Sequence, residues 1–250
     1  MTRLPHLTPA QLLRGYANGI FPMAASADDP RLSWYDPPRR GILPVGGVRA
    51  SRSLIRSLRR GGWAADAAPD FDAIVGHCAA RDETWINAPL RALYADLHRA
   101  GHAEALAVHQ DGALAGGLFG VTLGGAFFGE SMFSTRTDGS KMALLWLSDH
   151  LRRCGFTLID TQFLTPHLAR MGGIEIPRAA YRLRLAAALK RRADFRAYPL
   201  LPASALSSAV SAGTSTGSSP VPGSTSSSGG GISPSGPTPS PPSGTAVSGT

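Results

Sequence analysis

Between Leu106 and Phe163 the hydrophobic pattern changes period twice, and that change limits the chain to few folds. Leu106 and Val108 alternate with small or polar neighbours, and Asp111-Gly112 has the residue types of a two-residue hairpin turn. Leu114 to Thr122 and then Ala126 to Phe133 continue as strands, so three antiparallel strands follow one another. The pattern then turns helical from about Ser140 to Arg153, stops at Gly155, and returns to a strand from Phe156 to Phe163. A helix between two strands is a crossover that lays the second strand beside the first. The class is therefore α+β.

The polar chemistry gathers at two strand ends, Gly129-Glu130-Ser131-Met132-Phe133-Ser134 and Leu158-Ile159-Asp160-Thr161-Gln162. Residues two apart on a strand point to one face, which sets Asp160 beside Gln162 and Glu130 beside Met132. Phe127, Phe128 and the neighbouring glycines leave space close to the backbone. A carboxylate and an amide next to an apolar hollow have the makings of a substrate site. The same pair also suits a purely structural role, pinning two strands together, and spacing alone leaves both readings open.

Elsewhere the chain reads as scaffold. Thr8-Pro9 opens a helix that Gly19 stops, with Leu12, Leu13, Tyr16 and Ile20 on one face. Phe21 to Val48, rich in Pro and Gly and containing Trp34-Tyr35, reads as an irregular segment with aromatic anchors. Asp70 and Asn87 are placed as N-caps of two helices with apolar stripes Phe71, Ile74, Val75, Cys78 and Leu90, Leu93, Tyr94, Leu97. A short helix, a strand near Ile174-Glu175-Ile176 and a basic helix from Ala179 to Arg192 close the order. From about Pro199 to Thr250 the chain is Ser, Gly, Pro, Thr and Ala with few large apolar groups, the composition of a disordered tail.

The net charge of +8 falls entirely on the first 196 residues and points to a polyanionic partner, nucleic acid first. The helix from Ser51 to Arg60 concentrates it. At 100° per residue Arg52, Arg56, Arg59 and Arg60 share one arc, away from Leu54, Ile55 and Leu58. That helix contains no Asp or Glu, whereas an ordinary solvated face mixes signs. Cys78 and Cys154 lack a second Cys at metal spacing and read as packed, reduced thiols; His98 and His102 straddle the helix stop Gly101, so no metal is expected. The start of the chain lacks a signal-peptide core and no run is long enough to span a bilayer, so the expected location is cytoplasmic, without membrane association.

Five motifs, in order and spacing, resemble the leucyl/phenylalanyl-tRNA–protein transferases: Tyr16-Ala17-Asn18-Gly19-Ile20-Phe21-Pro22, Thr84-Trp85-Ile86, the two strand-end stretches, and Glu175-Ile176-Pro177-Arg178. The resemblance covers roughly residues 4 to 195. It implies a GNAT-like acyltransferase domain (residues 49–198) behind a small N-terminal domain (1–48), with the tail at 199–250. The N-terminal part is short for this family, so an additional strand layer there is expected to be missing. The implied reaction moves Leu, Phe or Met from aminoacyl-tRNA to the α-amine of proteins beginning with Arg or Lys, marking them for degradation by the N-end rule. It implies Asp160 and Gln162 as the catalytic pair. It also places Arg52, Arg56, Arg59 and Arg60 at tRNA-binding positions, Trp85 and Tyr94 near the acyl-adenosine, and Glu130 against either the adenosine or a basic acceptor residue. Leu118, Phe127, Met132, Leu144 and Ile159 would line the side-chain hollow, although any one of them taken alone reads first as a core residue.

The aminoacyl ester is already activated, so neither an energy source nor a cofactor is expected. What the reaction needs is a neutral amine, and a protein α-amine with a pKa of about 7.7–8.0 is partly protonated at pH 7. The expectation is that Asp160 polarises Gln162, whose side-chain oxygen draws the proton. Two rivals stand beside this reading. A CoA-dependent N-acetyltransferase would use Arg136-Thr137-Asp138-Gly139-Ser140-Lys141 as its phosphate turn, although Lys141 is bulky there; a non-catalytic RNA-binding protein would need only the arginine stripe. A serine hydrolase is set aside because the stretch around Ser131 lacks the closing glycine of a nucleophile elbow. A monomer is expected.

Overall fold

The computed structural model describes residues 7–80 and 84–213. In chain order the elements are α1 (Pro9–Ala17), β1 (Phe21–Ala24), β2 (Leu32–Tyr35), β3 (Arg39–Leu43), α2 (Arg52–Arg60), β4 (Trp63–Asp66), α3 (Phe71–Ala79), α4 (Ala88–Arg99) and β5 (Ala103–Gln110). They continue with β6 (Ala113–Leu123), β7 (Ala126–Ser134), α5 (Gly139–Arg153), β8 (Leu158–Gln162), α6 (Pro166–Arg170), β9 (Ile174–Pro177), α7 (Arg178–Leu189) and α8 (Ala203–Gly213).

Local chemistry starts and stops these elements where the sequence places the signals. Thr8 forms a capping box with Gln11 and precedes proline at the first turn of α1. The side chains of Asp70 and Asn87 accept from the amides of Ala73 and Leu90, capping α3 and α4. The β5–β6 turn needs two left-handed residues, and Asp111 (φ 51°) and Gly112 (φ 77°) provide them.

Among the described residues the main sheet has seven strands in the order β4-β5-β6-β7-β8-β3-β9, and only β7 and β8 pair in parallel, through the α5 crossover. This antiparallel meander followed by a crossover and a parallel strand is the expected GNAT-like α+β topology. The sheet is covered on both faces. On one, Leu12 and Tyr16 of α1, Phe71 and Ile74 of α3, Leu90 and Tyr94 of α4, and Tyr181 and Leu185 of α7 form a core with Phe119 and Phe128. On the other, Leu54 and Leu58 of α2, Leu144 and Leu147 of α5, Leu168 of α6 and Leu206 of α8 pack over Leu118, Phe127 and Ile159. Cys78 and Cys154 are both buried, one in each core.

Two expectations change. The stretch from Phe21 to Val48 holds three strands: β1 and β2 form a hairpin, while β3 enters the main sheet between β8 and β9. A domain boundary at residue 48 would therefore cut β3 away from the sheet it completes. The prolines and glycines obscured β3 because they flank it closely at Pro37, Pro38 and Pro44. The expectation of a disordered tail, in turn, does not hold for Ala203–Gly213, which form a helix. Helix α8 lies on α2, buries Leu206 completely, and is led in by a hydrogen bond from Trp146 Nε1 to the Leu201 carbonyl (2.8 Å). Four apolar residues (Leu200, Leu201, Leu206, Val210) within a serine-rich run are enough to hold it; burying one leucine contributes about 1.5–3 kcal/mol. Residues 214–250 of the proposed tail lie outside the described residues.

Candidate active site

The parallel pairing of β7 with β8 covers only Ala126–Phe128 against Leu158–Asp160. Beyond it the two strands part, and each carries a bulge at that point. On β7, Gly129 pairs with Gly120 and Ser131 with Phe119, so Glu130 is the extra residue; on β8, Asp160 pairs with Ile42 and Gln162 with Gly41, so Thr161 is. Bulges re-aim side chains, and these two account for the site's geometry.

The first turns Glu130 toward α1 and α4. Its two oxygens accept from the hydroxyls of Tyr16 (2.7 Å) and Tyr94 (2.7 Å). Met132 packs on the opposite core, with α5. The expectation that Glu130 and Met132 share a face therefore fails, because the bulge breaks the alternation on which it rests.

The second bulge separates Asp160 from Gln162. Asp160 is fully buried and clamped by Arg40, whose Nε and Nη2 donate to its two oxygens at 2.9 and 2.7 Å. Tyr181 donates its hydroxyl to Oδ2 (2.7 Å), and Oδ1 accepts the main-chain N–H of Gln162 (2.9 Å). The Arg40 guanidinium lies between the rings of Phe21 and Tyr181, 4.4 and 4.5 Å from their centroids, and gives a further bond to the Gly19 carbonyl (3.1 Å). With four donors on its carboxylate, Asp160 holds the backbone of Gln162, not its side chain. Gln162 has a left-handed backbone (φ 58°), a conformation costing a non-glycine residue about 1–3 kcal/mol unless its surroundings impose it. Across from it Gly41 admits the chain, since a Cβ there would lie 2.7 Å from the carbonyl carbon of Phe163.

Where the strands part lies a cavity of about 640 Å³. The five residues expected to form the side-chain hollow, Leu118, Phe127, Met132, Leu144 and Ile159, all line it, as do Trp85, Glu130 and Gln162. Asp160 and Tyr94 do not. Tyr94 has no exposed surface and spends its hydroxyl on Glu130, so it is not available to stack on a base. Three buried polar atoms without a partner among the described residues, Thr161 Oγ1, Gln162 Nε2 and His167 Nε2, belong to residues of the cavity wall. Such orphans in a cavity mark places where a ligand can bond.

Electrostatics follow from burial. It lifts the Glu130 carboxyl to about 7, against the two tyrosine hydroxyls that favour the carboxylate. Burial, reinforced by the Glu130 charge, holds both hydroxyls well above the usual tyrosine range, so they remain donors. His167 is pushed down by burial and by the neighbouring charges of Lys141 and Arg170, which keeps it neutral at pH 7. No group of three or more metal-ligating side chains occurs among the described residues.

On the far side of α5, α2 leaves Arg52, Arg56, Arg59 and Arg60 exposed while Leu54 and Leu58 are buried, as the helical arc requires. Arg59 also bonds the Ser211 hydroxyl of α8 (2.9 Å). At the start of α5, the Ser140 amide is taken by Ser134 Oγ and Lys141 pairs with Asp138 across the turn that a CoA pyrophosphate would need. Among the described residues no helix is long and apolar enough to cross a membrane.

The profile described as leucyl/phenylalanyl-tRNA protein transferase matches residues 42–186, and that of the family's N-terminal domain matches residues 6–38. The chain belongs to the leucyl/phenylalanyl-tRNA–protein transferase family. A relative of that name from Paracoccus denitrificans is 59% identical over 194 residues, covering 78% of this chain and 92% of the relative. One from Cereibacter sphaeroides is 59% identical over 191 residues, covering 76% and 89%. Among solved structures, FemX overlaps 66% of this chain and 66% of its own at 10% identity, with a TM-score of 0.44. Transferase membership removes the CoA-dependent and non-catalytic readings. The residues that sequence reasoning missed are Arg40, Tyr16, Tyr181, Thr161 and His167. Their signal is weak: an arginine in a Pro- and Gly-rich run reads as surface, and two tyrosines on apolar helical faces read as core.

Proposed function

We propose that the protein transfers leucine, phenylalanine or methionine from aminoacyl-tRNA to the α-amine of proteins that begin with Arg or Lys, marking them for degradation through the N-end rule pathway. That it is an aminoacyltransferase acting between an aminoacyl-tRNA and a protein follows from its family. The observation that carries the finer reading is the cavity at the parting of β7 and β8, apolar at Leu118, Phe127, Met132, Leu144 and Ile159 and lined beyond them by orphaned polar atoms. An unbranched or γ-branched side chain fits the apolar part. The ester and the incoming amine then lie against Thr161 and Gln162.

In this reading Gln162 touches the reacting groups and its amide orients the amine. Asp160 is a positioning residue: with Arg40 and Tyr181 it fixes the left-handed backbone that points Gln162 into the cavity. Trp85 offers a ring to the terminal base, where stacking is worth about 1–3 kcal/mol. The arginines of α2 neutralise tRNA phosphates. The ester supplies the driving force, so no cofactor enters.

The test is a panel of peptides that differ only in their first residue, offered with leucyl-tRNA, the products being read by mass. Transfer to peptides starting with Arg or Lys at rates at least tenfold above those starting with Glu or Leu is the expected result. Equal transfer to all would refute the acceptor assignment.

A further inference from the structure

Resting on that reading, we propose that Glu130 is the proton-transfer group of the reaction: its carboxylate takes the proton of the attacking amine and delivers it to the departing ribose oxygen. The expectation from the sequence is that the Gln162 side-chain oxygen draws this proton with Asp160 polarising it; in the fold Asp160 instead bonds the main-chain N–H of Gln162 (2.9 Å). Asp160 is fully buried, absent from the cavity wall, and each of its oxygens already accepts from two groups. Glu130 is the one carboxylate among the described residues that line the cavity. The bulge brings it there, and each oxygen accepts one tyrosine hydroxyl, which leaves a lone pair on each for substrate.

The step balances without any other reactant. The neutral amine attacks the ester carbonyl, and as the C–N bond forms its nitrogen gives a proton to the Glu130 carboxylate. As the C–O bond to the terminal ribose breaks, the Glu130 carboxylic acid returns that proton to the ribose oxygen. The carboxylate is regenerated. A group that alternates between base and acid works best with a pKa near the operating pH, and burial has raised Glu130 to about 7.

The charged and titratable groups around it are Tyr16 on α1, Tyr94 on α4, Asp160 on β8 and Arg40 on β3; His77 of α3 and His167 of α6 line the same cavity. The two hydroxyls stabilise the carboxylate, so removing either raises the pKa of Glu130.

The experiment is the pH profile of kcat for leucine transfer to a peptide with N-terminal Arg, at saturating leucyl-tRNA and peptide, for wild type, Tyr94→Phe, Tyr16→Phe and Glu130→Gln. The titration of the free peptide's amine is measured alongside. Wild type is expected to show a limb rising through about pH 7, distinct from the amine's titration. Each Tyr→Phe variant should move that limb up by about one pH unit. Glu130→Gln should lower kcat by about 10²–10⁴ while binding leucyl-tRNA as wild type does. Profiles of both tyrosine variants that superimpose on wild type, or a Glu130→Gln variant that raises KM and leaves kcat unchanged, would overturn the assignment. Those results leave the function reading standing, because wild type still transfers; a folded wild type that transfers nothing would overturn both.

Discussion

Replacing Arg40 with Met isolates the ion pair on which the site's frame depends. Arg40 is 1% exposed and Asp160 fully buried, and the pair is joined by two hydrogen bonds, of 2.9 and 2.7 Å. Methionine fills a similar slot between Phe21 and Tyr181 but leaves the carboxylate buried without its counter-charge, and orphans the Gly19 carbonyl. Breaking one side of a buried ion pair costs about 3–5 kcal/mol. The loss should appear in urea unfolding followed by tryptophan fluorescence at pH 7, as a lower midpoint at unchanged slope. Asp160→Asn should cost a similar amount, because it strands the guanidinium. The double variant should be less destabilised than the two losses added together, with a coupling of at least about 1 kcal/mol. A loss below about 1 kcal/mol for Arg40→Met, or strict additivity in the double variant, would refute the clamp.

Filling the apolar end of the cavity with Leu144→Trp should lower kcat/KM for leucyl-tRNA at least tenfold, equivalent to about 1.4 kcal/mol, with tRNA affinity measured by filter binding unchanged. Equal kcat/KM would remove Leu144 from the donor pocket. Replacing Arg52 and Arg56 with Ala should flatten the dependence of log affinity for tRNA on log salt by roughly 0.7–0.9 for each phosphate no longer neutralised, and an unchanged slope would take α2 out of the interface. Leu206→Ala should destabilise the protein by about 2–5 kcal/mol in the same urea assay, whereas a loose tail at that position would show no change. Glu130 binds its proton more tightly in the folded chain (about 7) than at the ordinary value of 4.5, so its contribution to stability falls as pH rises from about 4.5 to 7 and is flat above. Glu130→Gln should remove that slope, and a variant that kept it would place the titration elsewhere.

Much of the scaffold is written in local signals. Thr8, Asp70 and Asn87 cap their helices, Asp111-Gly112 turns its hairpin, and the switch of period after Phe133 marks the crossover, because each of these effects acts within a few residues. The arginine arc of α2 is readable for the same reason. The site itself is half readable. All five residues of the apolar hollow meet in one cavity, but strict alternation puts Asp160 beside Gln162 and Glu130 beside Met132, and a bulge in each strand undoes both pairs. A bulge depends on the partner strand's register, which no single stretch records. Arg40 illustrates the same limit: it becomes a core residue only because β3 inserts between β8 and β9, 120 positions from Asp160 in sequence. Helix α8 is hidden by composition, its few apolar residues finding a ready surface on α2.

Everything proposed for the site depends on this fold moving an amino acid from tRNA to a protein amine. The most direct measurement is transfer of labelled leucine from leucyl-tRNA to a peptide with N-terminal Arg, in the absence of ATP and CoA, with Gln162→Ala run beside wild type. The expected result is label in the peptide with wild type, and a loss of about 10²–10³ in rate with the variant at undiminished tRNA binding. A folded wild type that binds tRNA and leaves the peptide unlabelled would contradict the assignment of the reaction, and a Gln162→Ala variant as fast as wild type would contradict the placement of the site.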